Sequence, residues 1–128
     1  MAGKIIADTL EHSTAGSIAT NYVVEGSAKS WANIDGNAAT PSARNSLNSS
    51  SVSDNGTGDY TSNFTSAFSG ADYSASILCY GGTGIGSLYT TANLTTSSFR
   101  FFYNYYTGGS WPSFDPDPAS YDCHGDLA

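Results

Sequence analysis

Positive charge is almost missing from this chain of 128 residues: Lys4, Lys29, Arg44 and Arg100 are its four cations, set against eleven carboxylates for a net charge of −7. Nucleic-acid binders neutralise phosphates with clustered Lys and Arg, so four scattered cations exclude a nucleic-acid partner. Helix formers are equally scarce, with one Met, two Lys and two Glu in the whole chain, which removes the material of long amphipathic helices. No segment approaches the ~20 consecutive apolar residues of a membrane-spanning helix. The start, Met1-Ala2-Gly3-Lys4, carries no apolar run of signal-peptide length. Neither membrane insertion nor Sec export is therefore expected. Without export, Cys79 and Cys123 are expected to be free thiols in or near the core.

Groups that carry chemistry are also few. His12 and His124 lie far apart in sequence, and the adjacent Cys123-His124 pair would point to opposite faces of a strand, which prevents it from sharing a metal. Asp54 to Asp59 and Asp115-Pro116-Asp117 gather oxygens but lack the twelve-residue calcium loop with its terminal Glu, so they read as turn carboxylates. Serines are too abundant for any one to be paired with a histidine, and no two acids stand out as a glycosidase pair. The expectation is a non-enzymatic protein with no metal and no cofactor.

What the chain does have is Ser, Thr, Asn and Gly, with 39% hydrophobic and 13% aromatic residues. Such a composition suits turns and half-buried sheet surfaces. A chain of this length buries roughly two thirds of its unfolded surface and supports one core. The prediction is an all-β protein: a small antiparallel β-sandwich over residues 27–128, preceded by an extended N-terminal arm over 1–26. In the arm, alternation puts Ile6 and Leu10 on one face, Ser13 to Ser17 breaks the strand, and Ile18 to Val24 reads as a second extended piece. Too few apolar residues are present for the arm to hold a core alone, so it must pack on the main domain or on another subunit.

Along the main domain, Ala28, Ser30, Ala32 and Ile34 share one strand face and Trp31 stands on the other, where so large a ring is expected to be core. Ser42 to Ser53 reads as one polar strand. The stretch Asp54-Asn55-Gly56-Thr57-Gly58-Asp59 reads as a hairpin turn centred on Asn55-Gly56, followed by Tyr60, Ser62 and Phe64 on one face of a strand. Tyr73, Ala75, Ile77 and Cys79 form the strongest buried-strand pattern. Gly81 to Gly86 superficially resembles a phosphate loop, but no helix and no Lys follow, so it reads as a hairpin loop. From Ser97 to Tyr106 aromatics occupy both faces, Phe99, Phe101, Tyr103 and Tyr105 against Phe102 and Tyr106, so one face calls for cover beyond a single sandwich interior. An irregular loop with Trp111, Phe114 and three prolines precedes a short strand at Tyr121 to His124.

Two candidate surfaces emerge. Tyr105, Tyr106, Trp111 and Phe114, bracketed by glycines and neutral polar residues, suit stacking on the apolar faces of sugars; the competing reading is that they plug the end of the sandwich or fill an oligomer axis. Ile6, Leu10, Trp31 and Phe102 are the candidates for an oligomer interface.

The ordered runs Ser27-Ala28-Lys29-Ser30-Trp31-Ala32-Asn33-Ile34, Arg44 to Ser53, and Asp54-Asn55-Gly56-Thr57-Gly58-Asp59-Tyr60-Thr61-Ser62-Asn63-Phe64-Thr65, with Asp72-Tyr73-Ser74 behind them, resemble a β-rich module of tailed-bacteriophage structural proteins often labelled tail-fibre-like. Phe99 to Phe102 is similar to a later aromatic strand of that module. Ala43 departs from it, standing where a bulky aliphatic is usual, and Asp115 to Pro118 has no counterpart there. The resemblance implies a virion protein, made in the bacterial host cytoplasm, that forms a homotrimer and joins other phage tail or capsid proteins. Its role would be a tail fibre or receptor-binding protein recognising host surface glycans, or alternatively a capsid decoration, head-fibre or adaptor protein with a purely architectural role.

Overall fold

The computed structural model describes residues 6–79, 84–87 and 93–128, and of His12 and Gly84–Ser87 the backbone alone. Its elements are β1 (Thr9–His12), β2 (Gly16–Ala19), α1 (Thr20–Gly26), β3 (Ser30–Asp35), β4 (Ser42–Leu47), β5 (Ser49–Gly56), β6 (Asp59–Phe64), β7 (Ser74–Cys79), β8 (Gly84–Ser87), β9 (Ser98–Tyr105) and β10 (Ala119–His124). The protein is all-β, a small antiparallel sandwich. One four-stranded sheet runs in the order β4-β3-β10-β7 and the other in the order β5-β6-β9-β8.

Period-2 alternation fills the interior. In β3 and β10 every second residue is buried, giving Ser30, Ala32 and Ile34 beside Ala119, Tyr121 and Cys123. Opposite them β6 and β9 bury Tyr60, Ser62 and Phe64 beside Phe99, Phe101 and Tyr103. The first sheet thus supplies mostly small side chains and the second mostly rings, a pairing that lets the two layers interdigitate. Phe99 stacks on Phe101 at 5.0 Å between centroids, and each lies 5.4 Å from the Tyr121 ring. Each such ring withdrawn from water contributes about 1.5–3 kcal/mol.

A chain of hydroxyls crosses this core. Tyr121 OH lies 3.0 Å from Ser30 Oγ and 2.6 Å from Ser62 Oγ, and Ser62 Oγ lies 2.8 Å from Ser49 Oγ. It ties β3 and β10 of one sheet to β5 and β6 of the other, and it satisfies two serines that are completely buried. Tyr103 makes a second cross-tie, donating to Ser120 O at 2.9 Å with Leu78 O at 3.2 Å.

Several sequence expectations change. The stretch 42–53 is two strands, because Asn48 takes a left-handed φ of 54° and sends the chain from one sheet to the other. Asn tolerates that conformation better than other non-glycine residues, and its side chain fixes the corner by accepting from Ser66 N at 2.6 Å and donating to Ser66 O at 3.0 Å. The hairpin loop is Thr57-Gly58, not Asn55-Gly56: Asn55 falls in a bulge between the pairs Asp54↔Tyr60 and Gly56↔Asp59. Trp31 is not core: its strand turns the small residues inward, leaving the indole half-buried on the outer face, paired across to Leu47. Part of the glycine run, Gly84–Ser87, is strand β8 against β9, while 81–83 lies outside the described residues. The β7 pattern points inward as expected, but Ala75, Ile77 and Cys79 are only half-buried because β7 is an edge strand.

In the N-terminal segment β1 and β2 form a hairpin, and the helix Thr20–Gly26 takes up most of the stretch Ile18 to Val24 that was expected to be extended. Lys29 accounts for the end of that helix. Its Nζ donates to Val24 O, and to Ser27 Oγ at 2.6 Å, supplying positive charge and donors where helix carbonyls lack partners. The helix buries no residue, so its formation finds no explanation in packing. Among the described residues no helix is long and apolar enough to cross a membrane.

Both cysteines are free, Cys123 buried and Cys79 half-buried. On β7 and β10, Cys79 sits opposite Ala119 while Cys123 sits opposite Ala75; four residues of strand separate them by about 13 Å, beyond disulfide reach. Burial raises both thiols, Cys123 up to about 12. At pH 8 the folded protein should therefore leave Cys123 unreactive toward a thiol reagent and modify Cys79 slowly, both reacting at once in denaturant. Removing the Tyr121 hydroxyl by Tyr121→Phe leaves Ser30 with only a 3.5 Å contact to Asn48 O and Ser62 with Ser49 alone, and should cost about 1–3 kcal/mol, read as a lower urea midpoint at unchanged slope.

Candidate functional site

Beyond Tyr103 the chain makes a second, smaller hairpin. Thr107 and Ser110 exchange both backbone hydrogen bonds at 3.0 Å, Tyr105 N donates to Pro112 O at 3.0 Å, and Asn104 bridges Ser113. Its two-residue loop is Gly108-Gly109, with φ of 54° and 91°. Positive φ at both central positions is the geometry that only glycine and a few polar residues supply and that matches the twist of the flanking strands. The segment expected to be an irregular loop is thus paired backbone up to Ser113.

Alternation then divides the four aromatics. Tyr105 and Phe114 turn toward the end of the core, 5.7 Å apart and edge to face, with Phe114 6.5 Å from Tyr103; both are half-buried. These two pack against the end of the sandwich. Tyr106 and Trp111 face each other across the hairpin with ring centroids 5.0 Å apart, and they stay 53% and 55% exposed. They occupy a non-hydrogen-bonded cross-strand position, where side chains approach most closely. Neither the Tyr106 hydroxyl nor the Trp111 indole N–H has a hydrogen-bond partner among the described residues. Beside them Ser113 Oγ donates to Asn104 Oδ1 at 3.1 Å. Alternation alone puts Asn104 on the face of Tyr106, but Ser113 was not singled out in the sequence, since only the 104–113 register sets it opposite Asn104.

One carboxylate holds the base of this hairpin. Asp115 Oδ1 accepts from Gly58 N at 2.6 Å and from Tyr60 OH at 2.7 Å. Tyr103 N donates to Gly58 O at 2.8 Å, and Phe114 N to Tyr103 O at 3.3 Å. Gly58 has a φ of 69°, and a Cβ there would lie 2.5 Å from Tyr103 O and 2.7 Å from Phe114 O. Burial, then the Asp115 carboxylate, raises the Tyr60 hydroxyl well above the ordinary tyrosine range. Further along, Arg44 bridges Asp117 and Asp35, the latter at 2.8 Å. Both acids of the Asp115-Pro116-Asp117 stretch are thus committed to fastening the loop.

The four interface candidates do not meet on one surface. Ile6, 82% exposed, and Leu10 lie in the N-terminal segment; Trp31 is on the outer face of the first sheet; Phe102 is half-buried on the outer face of the second, with the Arg100 guanidinium 5.1 Å above its ring. Arg100 in turn grips Asp59 through two bonds of 2.9 and 2.6 Å. No group of three or more His, Cys, Asp or Glu converges among the described residues. His124 faces Asp122 at 3.0 Å and Gly26 O at 3.1 Å. Against protein-family models, curated proteins and solved structures, the chain finds no match.

Three outcomes test the fastening. Asp115→Ala leaves Gly58 N without its acceptor and Tyr60 OH with only the longer bond to Gly36 O at 3.3 Å, and should cost about 1–3 kcal/mol, with a change in the near-ultraviolet circular dichroism of the hairpin aromatics. Gly58→Ala should destabilise by more than about 1 kcal/mol, from positive φ and the two carbonyls together. Hydrogen bonding to Arg44 lowers the Asp117 carboxyl below its ordinary value. A depressed folded value means stability present above the unfolded value and lost as pH falls through the folded one. Arg44→Gln should therefore flatten the acid limb of the stability profile, measured by urea midpoints between pH 5 and pH 2.

Proposed function

We propose that this chain is a non-enzymatic structural protein of a bacteriophage virion, acting as a tail fibre or receptor-binding protein that contacts host surface glycan. The observation that carries the binding half of this reading is the Tyr106–Trp111 pair: two rings held side by side on paired backbone, both largely in water, both with polar ends unpartnered. Large rings are normally withdrawn from water, so a pair held outside the core is best explained by a ligand that stacks on it. The virion half rests on the ordered sequence runs between Ser27 and Ser74.

A homotrimer joined to other tail or capsid proteins belongs to the same proposal. Trp31 and Phe102 stand on opposite outer faces of the sandwich, which suits a ring in which each subunit offers one face to the next and receives the other. The N-terminal segment is the proposed attachment arm. The architectural alternative, a capsid decoration, head-fibre or adaptor protein, draws on a different observation. Leu10, Ile18, Tyr22 and Val24 of that segment are exposed, as is Ile6, and a groove of about 370 Å³ lined in part by Ala28, Leu47 and Leu127 opens on the main domain. Apolar surface of this kind is buried on assembly.

Purified protein should sediment host cells in a pull-down, lose that binding on Trp111→Ala with its circular dichroism unchanged, and elute with the mass of a trimer in light scattering. Docking onto capsid or tail particles without any binding to host cells would give the architectural reading the place of the first.

A further inference from the structure

We infer that the ligand of the Tyr106–Trp111 face is a neutral glycan, selected against acidic polysaccharides by the way the chain uses its cations. The inference rests on the glycan-binding reading above and deepens it. Stacking on an aromatic pair sets no charge preference by itself, because every sugar ring presents apolar C–H faces. The surroundings of the pair set it. Each described Lys and Arg is already engaged: Lys29 closes the helix Thr20–Gly26, Arg44 bridges Asp35 and Asp117, and Arg100 forks onto both oxygens of Asp59.

Arg100 is the cation that matters, since alternation along β9 and into the hairpin beyond it puts Arg100 on the same face as Asn104 and Tyr106, two and three strand pleats away. Its two bonds to Asp59 are the bidentate arrangement that holds a guanidinium most firmly, and its plane is further occupied by the Phe102 ring. A uronate or sialate arriving at this face would have to displace Asp59 to gain a countercharge, on a molecule with a net charge of −7. Recognition then falls to neutral groups. The Trp111 N–H and the amide nitrogen of Asn104, whose oxygen is taken by Ser113, are donors, and the Tyr106 hydroxyl donates or accepts. That inventory matches sugar hydroxyls and N-acetyl carbonyls and offers nothing specific to a carboxylate or a sulfate.

The test uses the full chain with Trp31→Phe, so that Trp111 is its sole tryptophan reporter, titrated with maltoheptaose, chitohexaose, polygalacturonate and heparin at low and high salt, beside adhesion to host cells before and after periodate and protease treatment. Expected is a Trp111 fluorescence change with at least one neutral oligosaccharide, unaffected by salt, and at least about tenfold weaker with Tyr106→Ala. An Arg100→Gln variant should keep that affinity. Binding only to the acidic polymers, weakening with salt, would overturn the inference. So would cell adhesion abolished by protease and untouched by periodate, which would make the receptor a protein while leaving the receptor-binding reading standing. Absence of adhesion to host cells together with absence of any titration would overturn both.

Discussion

The Asp115 carboxylate is the point on which the functional end of this molecule depends. One oxygen receives the backbone of the Thr57-Gly58 turn and the hydroxyl of a core tyrosine, so a tight turn, the aromatic layer and the C-terminal loop are fixed relative to one another by a single group. Charge-assisted bonds of this length are about twice as strong as neutral ones. The strand that leaves β9 returns through Phe114 to this acceptor, and the rings at the tip inherit their position from it. Rigid placement is what makes an exposed aromatic pair useful for recognition, since little freedom is then lost on binding.

The same economy governs the interior. A core of rings from one sheet against small residues from the other leaves room for hydroxyls, and Tyr121 fills that room with a phenol whose oxygen reaches Ser30 and Ser62. Polar groups inside a sandwich are tolerated only when each has a partner. This network meets that condition and gives the two sheets a fixed register relative to each other, which apolar contacts alone specify poorly.

Much of the fold was legible because strands advertise themselves by alternation. Ser30, Ala32 and Ile34, then Tyr60, Ser62 and Phe64, then Phe99, Phe101 and Tyr103 all point inward as their spacing says. What alternation does not encode is where a strand changes sheet or which of two turn signals closes a hairpin. Asn48 looks like one polar residue among many until its φ and its bonds to Ser66 are known, and Asn55-Gly56 outranks Thr57-Gly58 by local propensity until Asp115 and Tyr103 claim Gly58 from a distance. Trp31 was misplaced for a related reason: size argued for burial, yet its strand neighbours Ala32 and Ile34 had to face the rings of the other sheet. At the candidate site the aromatics were visible in the sequence, while their division into a buried and an exposed pair depended on the register set by Gly108-Gly109.

The corner at Asn48 has a further consequence, for how copies of this protein coexist. Strands β4 and β5 are the outermost strands of their sheets on one side, and because the chain runs from one to the other through a single residue, both unpaired edges lie along one sharply bent, serine-rich ribbon. A neighbouring chain seeking to extend either sheet would meet a template that ends after a few residues and turns away at the corner. Crowding many copies together therefore carries less risk of strand exchange along this side than two independent, straight edges would bring.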